Sequence, residues 1–529
     1  MRPISKWWLA IAVGGLSLGL SMMRLAAQDC PARPNSGTVV ADPFSIYSQN
    51  GALNAKLTLG HSIDISGYTH FCYKYQSPTG VVESPTLRVN PGDVLNLDVV
   101  DGIKNNGGAT GGVMKMNMAM PAGPACADSG APSINSTNVH FHGTNVPPVC
   151  HQDDVINTLI QPGTPGFQYN VQVPATQPPG LYWYHPHVHG FTEFQVNGGA
   201  AGALIVEGME KVRPEVAGLT ERVFVIRQQY LVPWIPGPYL LTLNYQVAPF
   251  LGAAPVIDMK PGEKQFWRVA NATIQDFLQL QIQQNGVLQP MQIIALDGYP
   301  LTQTRNETNI LVPPAGRAEF IVTAPPTGGT AVFFTNMYNT GPTGNLDLSE
   351  NLANIETTSN AVTATRMPKA TPPSAAEVSK VFNLATQPAT ILRNLYFSEE
   401  FGGTNGPIQF YITVDGQKQK TFEANEAPVI TTKVGAIEDW TIENRALETH
   451  AFHIHQIHFR VLQIDGKPAP NHDLRDTIEV PYWSGTGPYH SVKLRMDFSD
   501  PTTAGTFLFH CHILLHEDLG MMHKILVQP

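Results

Sequence analysis

One strand pattern occurs three times in this chain of 529 residues. The copies begin at Pro85, Pro255 and Pro428, about 170 residues apart, and each has a glycine seven residues after the proline. Apolar residues follow at positions twelve and fourteen, and Asp or Asn at position sixteen ends the segment. Apolar and polar residues alternate on both sides of the glycine turn, and apolar residues at helical spacing are absent. This pattern predicts a half-buried antiparallel strand pair in each copy. The repeat therefore predicts three related units.

A second segment recurs in each unit as an aromatic strand that follows a glycine, at 180–185, 329–334 and 505–510. We therefore predict an all-β fold of three β-sandwich domains with Greek-key connections, at 29–210, 211–370 and 371–529. The stretches 207–222 and 360–380 have the composition of linkers, and the first domain carries an insertion at about 102–138 that the other two lack.

The first 28 residues have the features of a signal peptide. Arg2 and Lys6 precede an apolar run from Trp7 to Met23, and small residues follow at Ala26 and Ala27. The alternative is an uncleaved membrane anchor, but the run is shorter than the roughly 20 residues that span a bilayer. We therefore expect a protein exported to the periplasm or outside the cell, without stable membrane insertion, where disulfides persist.

The composition excludes several classes of protein. Charged residues make up 14% of the chain, the net charge is −10, and 42% of the residues are hydrophobic, which excludes a disordered chain or a coiled coil. No cationic stretch is available to bind phosphates, so we expect no nucleic-acid partner.

The histidines are unevenly distributed. None lies between His189 and His450, although the chain has 18. Most of the 18 histidines form four clusters, two in the first unit and two in the third. The cluster residues are His140, His142, His185, His187, His450, His453, His455, His510, His512 and His516. A single strand histidine is more often structural than a ligand, but paired histidines at equivalent places in two related units indicate a metal site.

Strand geometry predicts two kinds of site. Residues i and i+2 project from one face of a strand, so each His-x-His pair directs two imidazoles to one place. Four pairs from two domains can place eight imidazoles around one shared cavity at the domain interface. Cys511 then faces away from His510 and His512, where it can meet His450, His516 and Met521. One thiolate, two imidazoles and a weak axial thioether form the ligand set of a blue-copper site. Zinc is the competing metal, but a structural zinc site closes with four ligands and has no use for the other histidines.

These four motifs resemble those of the three-domain multicopper oxidases, the laccase-like family of cupredoxin domains, along the whole mature chain. The resemblance implies four copper ions: one of type 1, one of type 2 and a type 3 pair. It implies that His450, Cys511, His516 and axial Met521 bind the type 1 ion, and that His140 and His453 bind the type 2 ion. It assigns the type 3 pair to His142, His185, His187, His455, His510 and His512.

The implied reaction couples four one-electron oxidations of a phenol, aromatic amine or other organic reductant to the reduction of dioxygen to water. That reduction consumes protons, so nearby carboxyl groups must donate them. Glu517 matches the family's acid on the dioxygen side. Asp153 or Asp154 matches the acid near the type 2 copper, and the sequence does not distinguish them; an ordinary polar turn is the alternative for this pair.

Two other functions fit parts of the pattern. A metallo-oxidase of Cu(I), Fe(II) or Mn(II) has the same ligands, and a copper-free cupredoxin scaffold would keep the fold but lose ligands. The residues 114–120 include four methionines that could bind Cu(I) or fill a gap. With Cys511 assigned to copper, Cys30, Cys72, Cys126 and Cys150 can form up to two disulfides in any of three pairings.

Overall fold

The computed structural model describes residues 29–63, 68–103, 126, 130–230, 239–248, 253–358, 365–368, 387–402, 408–471 and 473–529. The predicted signal peptide at 1–28 and the methionines at 114–120 lie outside these residues, as do most of the insertion at 102–138 and most of the linker at 360–380.

The first unit is a sandwich of two five-stranded sheets, with strand orders β1-β5-β10-β9-β7 and β4-β3-β2-β6-β8. Its ten strands are β1 (Ser45–Tyr47), β2 (Ala52–Ile63), β3 (Thr69–Ser77), β4 (Gly80–Glu83), β5 (Thr86–Val89), β6 (Val94–Asp101), β7 (His140–His142), β8 (Phe167–Gln172), β9 (Gly180–His185) and β10 (Gly202–Val206).

The second unit is also a two-sheet sandwich. Its strands are β11 (Thr220–Tyr230), β12 (Tyr239–Leu243), β13 (Gln246–Val247), β14 (Val256–Met259), β15 (Lys264–Ala272), β16 (Leu278–Gln284), β17 (Val287–Leu288), β18 (Met291–Leu296), β19 (Tyr299–Glu307), β20 (Ile310–Val312), β21 (Arg317–Thr323), β22 (Thr330–Asn336), β23 (Tyr338–Asn339), β24 (Leu346–Asp347) and β25 (Glu350–Thr357). The sheet orders are β13-β12-β11-β15-β21-β18-β19 and β14-β25-β22-β16-β17, β20 pairs with β16, and β23 and β24 form a separate hairpin.

The third unit repeats the arrangement. Its strands are β26 (Ile391–Phe401), β27 (Ile408–Val414), β28 (Ile430–Lys433), β29 (Ile437–Asn444), β30 (His450–Ile454), β31 (Phe459–Ile464), β32 (Lys467–Pro468), β33 (Leu474–Arg475), β34 (Thr477–Val480), β35 (His490–Asp497), β36 (Gly505–Cys511) and β37 (Met522–Gln528). The sheet orders are β27-β26-β29-β35-β31-β32 and β28-β37-β36-β30-β34, and β33 pairs with β31.

The described helices are short. They are α1 (Thr192–Gly198), α2 (Met209–Val212) and α3 (Leu514–Asp518), with 3-10 turns at Pro214–Val216 and Pro501–Thr503. Among the residues that the structure describes, no helix is long and apolar enough to cross a membrane. The prediction of an all-β fold built from sandwiches is confirmed, while the exact domain boundaries remain a proposal.

The predicted antiparallel pairing within each repeat is wrong. The two strands of each copy, β5 and β6, β14 and β15, and β28 and β29, lie in opposite sheets of one sandwich. The turn between them carries the chain across the core, with Gly92, Gly262 and Gly435 at φ of +89°, +68° and +92°. Alternation of apolar and polar residues indicates which face of a strand is buried but not which strand it pairs with. Here the buried faces of the two strands oppose each other across the core instead of lying side by side in one sheet.

Each sandwich encloses its own apolar core, and a further cluster joins the first two units. Leu181 and Trp183 of β9 pack against Val225 of β11 and Ala270 of β15, all of them buried. Removing these apolar side chains from water stabilises the contact between the first and second units. The aromatic strand predicted in each unit is an interior strand of its sheet, as β9, β22 and β36.

The four cysteines that remain beside Cys511 form two disulfides, Cys30–Cys72 and Cys126–Cys150. Cys511 is free and buried. The structure thereby selects one of the three pairings that the sequence left open.

We expect the double variant Cys30→Ser/Cys72→Ser to unfold at a lower temperature than the wild type. The bond closes a loop of sequence separation 42, which corresponds to about 4 kcal/mol of unfolded-state entropy. Thermal unfolding followed by circular dichroism measures the effect. The Cys126→Ser/Cys150→Ser variant, with a separation of 24, is the control and should lose slightly less; equal stability of variant and wild type would contradict the prediction.

Candidate metal centres

Two pairs of neighbouring strands carry the clustered histidines. In the first unit β7 pairs with β9, so that His140 lies opposite His185. In the third unit β30 pairs with β36, so that His453 lies opposite His510. Residues opposite each other in an antiparallel pair have adjacent side chains, which explains why each unit presents its imidazoles as one group.

The two groups interleave where the first and third units meet. The His140 ring stacks on His455 with centroids 3.9 Å apart and planes at 14°. The His142 ring stacks on His453 at 3.9 Å and 15°. All four rings are buried. One shared cluster therefore forms from both units, as strand geometry predicted.

Six histidines of this cluster form two triads. His142, His185 and His512 form one, and His187, His455 and His510 form the other, each with ligand atoms within 4.8 Å of one another. In the second triad His510 Nε2 lies 3.5 Å from His187 Nε2 and 3.2 Å from His455 Nε2. Each triad draws residues from both units, so neither unit can form one alone.

The two remaining histidines of the cluster lie beside the triads. His140 and His453 form a group with His142 in which the ligand atoms are again within 4.8 Å. His140 also forms a group with Asp153 and His455. The structure thus brings together the eight histidines that the sequence placed in one cavity.

Hydrogen bonds fix which nitrogen of several rings faces the cluster. Nδ1 of His453 donates to the Asp476 carbonyl oxygen at 2.9 Å, and Nδ1 of His185 donates to the Pro186 carbonyl oxygen at 2.9 Å. Nδ1 of His510 donates to the Cys511 carbonyl oxygen at 2.9 Å. A proton on Nδ1 leaves the lone pair on Nε2, which is the form that binds a metal.

The ring nitrogens that face the cluster are available to bind metal ions. Nε2 of His140, His185 and His453 and Nδ1 of His142 are buried and have no hydrogen-bond partner among the described residues. Buried polar atoms nearly always have a partner, so a set of unpaired nitrogens that converge on one place indicates ligands of a metal. Imidazole suits copper, and copper is therefore compatible with this donor set.

Burial also keeps the imidazoles neutral. It lowers the pKa of His140, His142, His453 and His512 well below the ordinary histidine value, and neighbouring histidines lower it further. A neutral ring has a free lone pair, whereas a protonated one cannot bind a cation.

A second site lies on the other face of β36. Cys511 Sγ is 3.6 Å from His450 Nδ1 and 3.9 Å from His516 Nδ1, and the two Nδ1 atoms are 3.3 Å apart. A trigonal ion with ordinary metal–sulfur and metal–nitrogen bonds requires roughly 3.8 Å for the former separations and 3.5 Å for the latter. The three atoms therefore suit one ion, as the alternation of Cys511 with His510 and His512 predicted.

The surroundings of Cys511 are apolar. Phe410 stacks on the His516 ring at 4.0 Å, and Phe397 lies 4.8 Å from the His450 ring. The Cys511 backbone N–H donates to the Met521 carbonyl at 3.1 Å, and Met521 is buried. Burial raises the pKa of the Cys511 thiol, so a thiolate here needs a cation beside it. Such a dry site suits electron transfer, because little solvent must reorganise.

The structure distinguishes the two aspartates that the sequence left undecided. Both carboxylate oxygens of Asp153 lie 3.0 Å from His140 Nδ1, and one accepts the Phe141 N–H at 3.0 Å. Burial raises the pKa of Asp153 to about 8. Asp154 instead accepts hydrogen bonds from Asn157 in a polar turn and does not reach a histidine.

Glu517 lies on the other side of the cluster. Its carboxylate oxygens are 3.3 Å from His510 Nδ1 and 3.5 Å from His187 Nδ1. Burial, and then the charge of Asp518, raise the pKa of Glu517 well above its ordinary value. Both effects favour the protonated form of this carboxyl group beside one of the triads.

Sequence reasoning missed several charged residues at both sites. Asp476 Oδ1 lies 3.4 Å from His142 Nε2 and is paired with Arg317 of the second unit. Glu399 Oε1 lies 3.5 Å from His450 Nε2, and Glu448 Oε2 lies 3.6 Å from His516 Nε2. Glu448 is two residues before His450, which was a usable signal, but Asp476, Arg317 and Glu399 are far from every motif in the sequence.

Comparison with protein families places the same sites in a known context. Residues 133–211, 235–360 and 402–529 match three family models, each described as multicopper oxidase. Together they cover more than half of the chain and include every clustered histidine, Cys511 and Met521.

Individual proteins give the same result. A multicopper oxidase of Staphylococcus haemolyticus is 26% identical over 85% of this chain and 83% of its own length. A laccase of Bacillus subtilis is 24% identical over 74% of this chain and 79% of its own length. The fold is similar to that of a multicopper oxidase from Campylobacter jejuni described as a metallo-oxidase, with a TM-score of 0.67, 23% identity and coverage of 95% and 98% of the two chains. A laccase of Pediococcus acidilactici has a TM-score of 0.64, 19% identity and coverage of 95% and 96%.

We expect Asp153→Asn to weaken metal binding at His140 by about 10- to 100-fold, because an amide NH2 group replaces one of the two oxygens that face His140 Nδ1. Asp154→Asn is the matched control and should bind metal like the wild type, since the described hydrogen bonds of the Asp154 side chain go to Asn157 in its own turn. Metal content after dialysis and paramagnetic resonance spectra measure the difference. Equal loss in both variants would contradict the assignment.

Proposed function

Because the chain belongs to the multicopper oxidase family, we propose that it oxidises phenols, aromatic amines or related organic reductants in one-electron steps. The protein is a copper-dependent oxidoreductase with dioxygen as its acceptor. When bound, the copper ions supply the one-electron redox chemistry that joins four substrate oxidations to the formation of water from dioxygen.

The proposed ligand assignment follows the two sites. His450, Cys511 and His516, with Met521, would hold a type 1 ion, and His140 and His453 would hold a type 2 ion. The two histidine triads would hold a type 3 pair, which gives four ions in total. The complete set of donors argues against a copper-free scaffold.

One observation supports an oxidase above all others. Cys511 belongs to the first site, while its neighbours His510 and His512 belong to the two triads of the second. The His510 ring also donates a hydrogen bond to the Cys511 carbonyl at 2.9 Å. A short covalent path therefore joins the site that takes electrons from a reductant to the cluster that uses them.

Two carboxyl groups would serve the proton requirement of dioxygen reduction. Glu517 lies beside His187 and His510 with a raised pKa, so it can donate a proton there. Asp153 lies on the opposite side, where it accepts from His140 and from the Gln456 amide at 2.5 Å. Asp154 is the weaker candidate, because its carboxylate is held in the Asn157 turn.

The reductant would approach the outer nitrogens of His450 and His516. Glu399 and Glu448 lie at these nitrogens, and burial raises the pKa of Glu399 to about 7 and of Glu448 to about 8. A phenol or aromatic amine can donate a hydrogen bond to either carboxyl group and so bring its ring near His516. Loss of an electron acidifies such a substrate, and a carboxylate in contact can accept the proton.

A second candidate function is the oxidation of Cu(I), Fe(II) or Mn(II). The same pair of carboxyl groups supports it, because carboxylate oxygens bind such cations and lie 3.5 to 3.6 Å from the ligand rings. The His516 side chain is only 4% exposed, which favours a small substrate over a large one.

We also propose that the protein is exported. Two disulfides among the described residues suit an oxidising compartment, in agreement with the signal peptide predicted at 1–28.

We expect Glu517→Gln to slow turnover by about 100-fold or more while the blue absorption and copper content stay normal, because only the proton donor is lost. Oxygen uptake and metal analysis of the same preparation measure both. Glu350→Gln, which alters a buried carboxyl group in the second unit, is the control and should retain the wild-type rate. Loss of copper from the Glu517 variant would indicate a structural role instead.

We expect the copper-loaded enzyme to oxidise a phenolic dye at the same rate with and without added copper salt, because an organic substrate would deliver its electron at His516 without a free metal ion as carrier. Oxygen uptake is measured after free copper has been removed by gel filtration. A strict requirement for added copper would reject the phenol proposal and support the metallo-oxidase.

We expect Glu399→Gln to raise KM for Fe(II) or Cu(I) more than KM for the dye if cations bind at this carboxyl pair. Glu400→Gln is the matched control on the same strand, because Glu400 is exposed and neighbouring residues of a strand project from opposite faces. Equal effects of the two substitutions would contradict cation binding at Glu399.

A further inference from the structure

Asp476 holds residues from all three units, although no motif predicted it. Its side chain is fully buried. Oδ1 lies 3.4 Å from Nε2 of His142 in the first unit, and its backbone carbonyl accepts Nδ1–H of His453 in the third unit at 2.9 Å. Arg317 of the second unit donates to both carboxylate oxygens. One residue therefore contacts a proposed type 3 ligand and a proposed type 2 ligand.

Arg317 is itself fixed in position. It begins β21, its side chain is fully buried, and its Nη1 and Nε donate to the carbonyls of Ala315 at 2.9 Å and Leu181 at 3.3 Å. Its backbone N–H donates to Asp297 at 2.8 Å. Because these hydrogen bonds fix the guanidinium group, its two terminal N–H groups point in a fixed direction toward the Asp476 carboxylate.

The backbone beside His142 is adapted to this ion pair. Gly143 has a φ of +82°, and a Cβ atom at this position would collide with Arg317 Nη2 and Asp476 Oδ2. The residue after a ligand histidine is thus a glycine because the ion pair packs directly against it.

The contacts assign the two nitrogens of His142. Nδ1 has no hydrogen-bond partner and is available to a metal, while Nε2 faces the Asp476 carboxylate. A metal-binding histidine is oriented by a carboxylate that accepts from its other nitrogen. Arg317 donates to both oxygens of that carboxylate and so fixes its orientation beside His142.

We propose that Asp476 and Arg317 are a positioning pair through which the second unit, which carries no histidine of its own, sets the geometry of the copper ions at His142 and His453. Asp476 orients His142 through its side chain and His453 through its backbone. Arg317 holds Asp476 in register with the first unit at Leu181. The inference rests on the copper assignment proposed above.

The chain offers a matched control for this ion pair. Glu319 lies two residues after Arg317 on β21, is fully buried, and pairs with Arg268. Glu319 also accepts the Leu181 backbone N–H at 2.8 Å, so it lies at the same junction of the first and second units. It contacts no histidine of the cluster in the described interactions.

The experiment compares Asp476→Asn with Glu319→Gln in the full-length protein. We expect both substitutions to lower the unfolding temperature of the metal-free protein. We expect only Asp476→Asn to change the type 2 paramagnetic resonance spectrum and to weaken copper binding at the cluster by about 10- to 100-fold in competition with a chelator. The blue absorption of the Cys511 site should be the same in both variants.

A double variant, Asp476→Asn/Arg317→Met, removes both charges and so avoids an unpaired buried cation. We expect it to be more stable than Asp476→Asn alone but to keep the altered type 2 spectrum. A wild-type spectrum and copper affinity in either Asp476 variant would overturn the proposal, as would the same spectral change in Glu319→Gln. A wild-type protein that binds no copper would instead reject the copper assignment itself.

Discussion

The exclusion of water from the imidazole cluster is the constraint on which the rest of the structure depends. Each buried ring has two nitrogens, and a nitrogen without a partner is costly in a dry interior. For His185, His453 and His510 a backbone carbonyl satisfies Nδ1 and leaves Nε2 directed at the cluster. The strands must therefore supply both ligands and carbonyls at one place, and the junction of the first and third sandwiches does so.

The second unit contributes through charge and shape, since it contains no histidine. Arg317 pairs with Asp476 beside the cluster, and the loop after β23 contacts residues beside the other site. In that loop Thr343 Oγ1 donates to Glu399 at 3.4 Å, and the Thr340 carbonyl accepts the Thr449 N–H at 2.6 Å. A unit without histidines thus contacts residues beside both sites.

The sequence predicted features that depend on neighbouring residues correctly, whereas it missed contacts between residues far apart in the chain. The alternation in the segment from Pro85 to Asp101 identified two buried strands correctly but paired them wrongly, because alternation carries no information about a strand's partner. The His-x-His spacing was sufficient to place imidazoles on one face. Asp476 and Glu399 could not be found, since only pairing between distant strands brings them to His142 and His450.

The sequence by itself determined the donors: which imidazoles share a face, and that Cys511 faces away from His510 and His512, because side-chain direction along a strand is a local property of period two. Tertiary structure decided how the six histidines divide into triads, that Asp153 and not Asp154 reaches His140, and that Cys30 pairs with Cys72. These outcomes depend on which strands and units pack together, and that is set by burial of apolar surface over the whole chain.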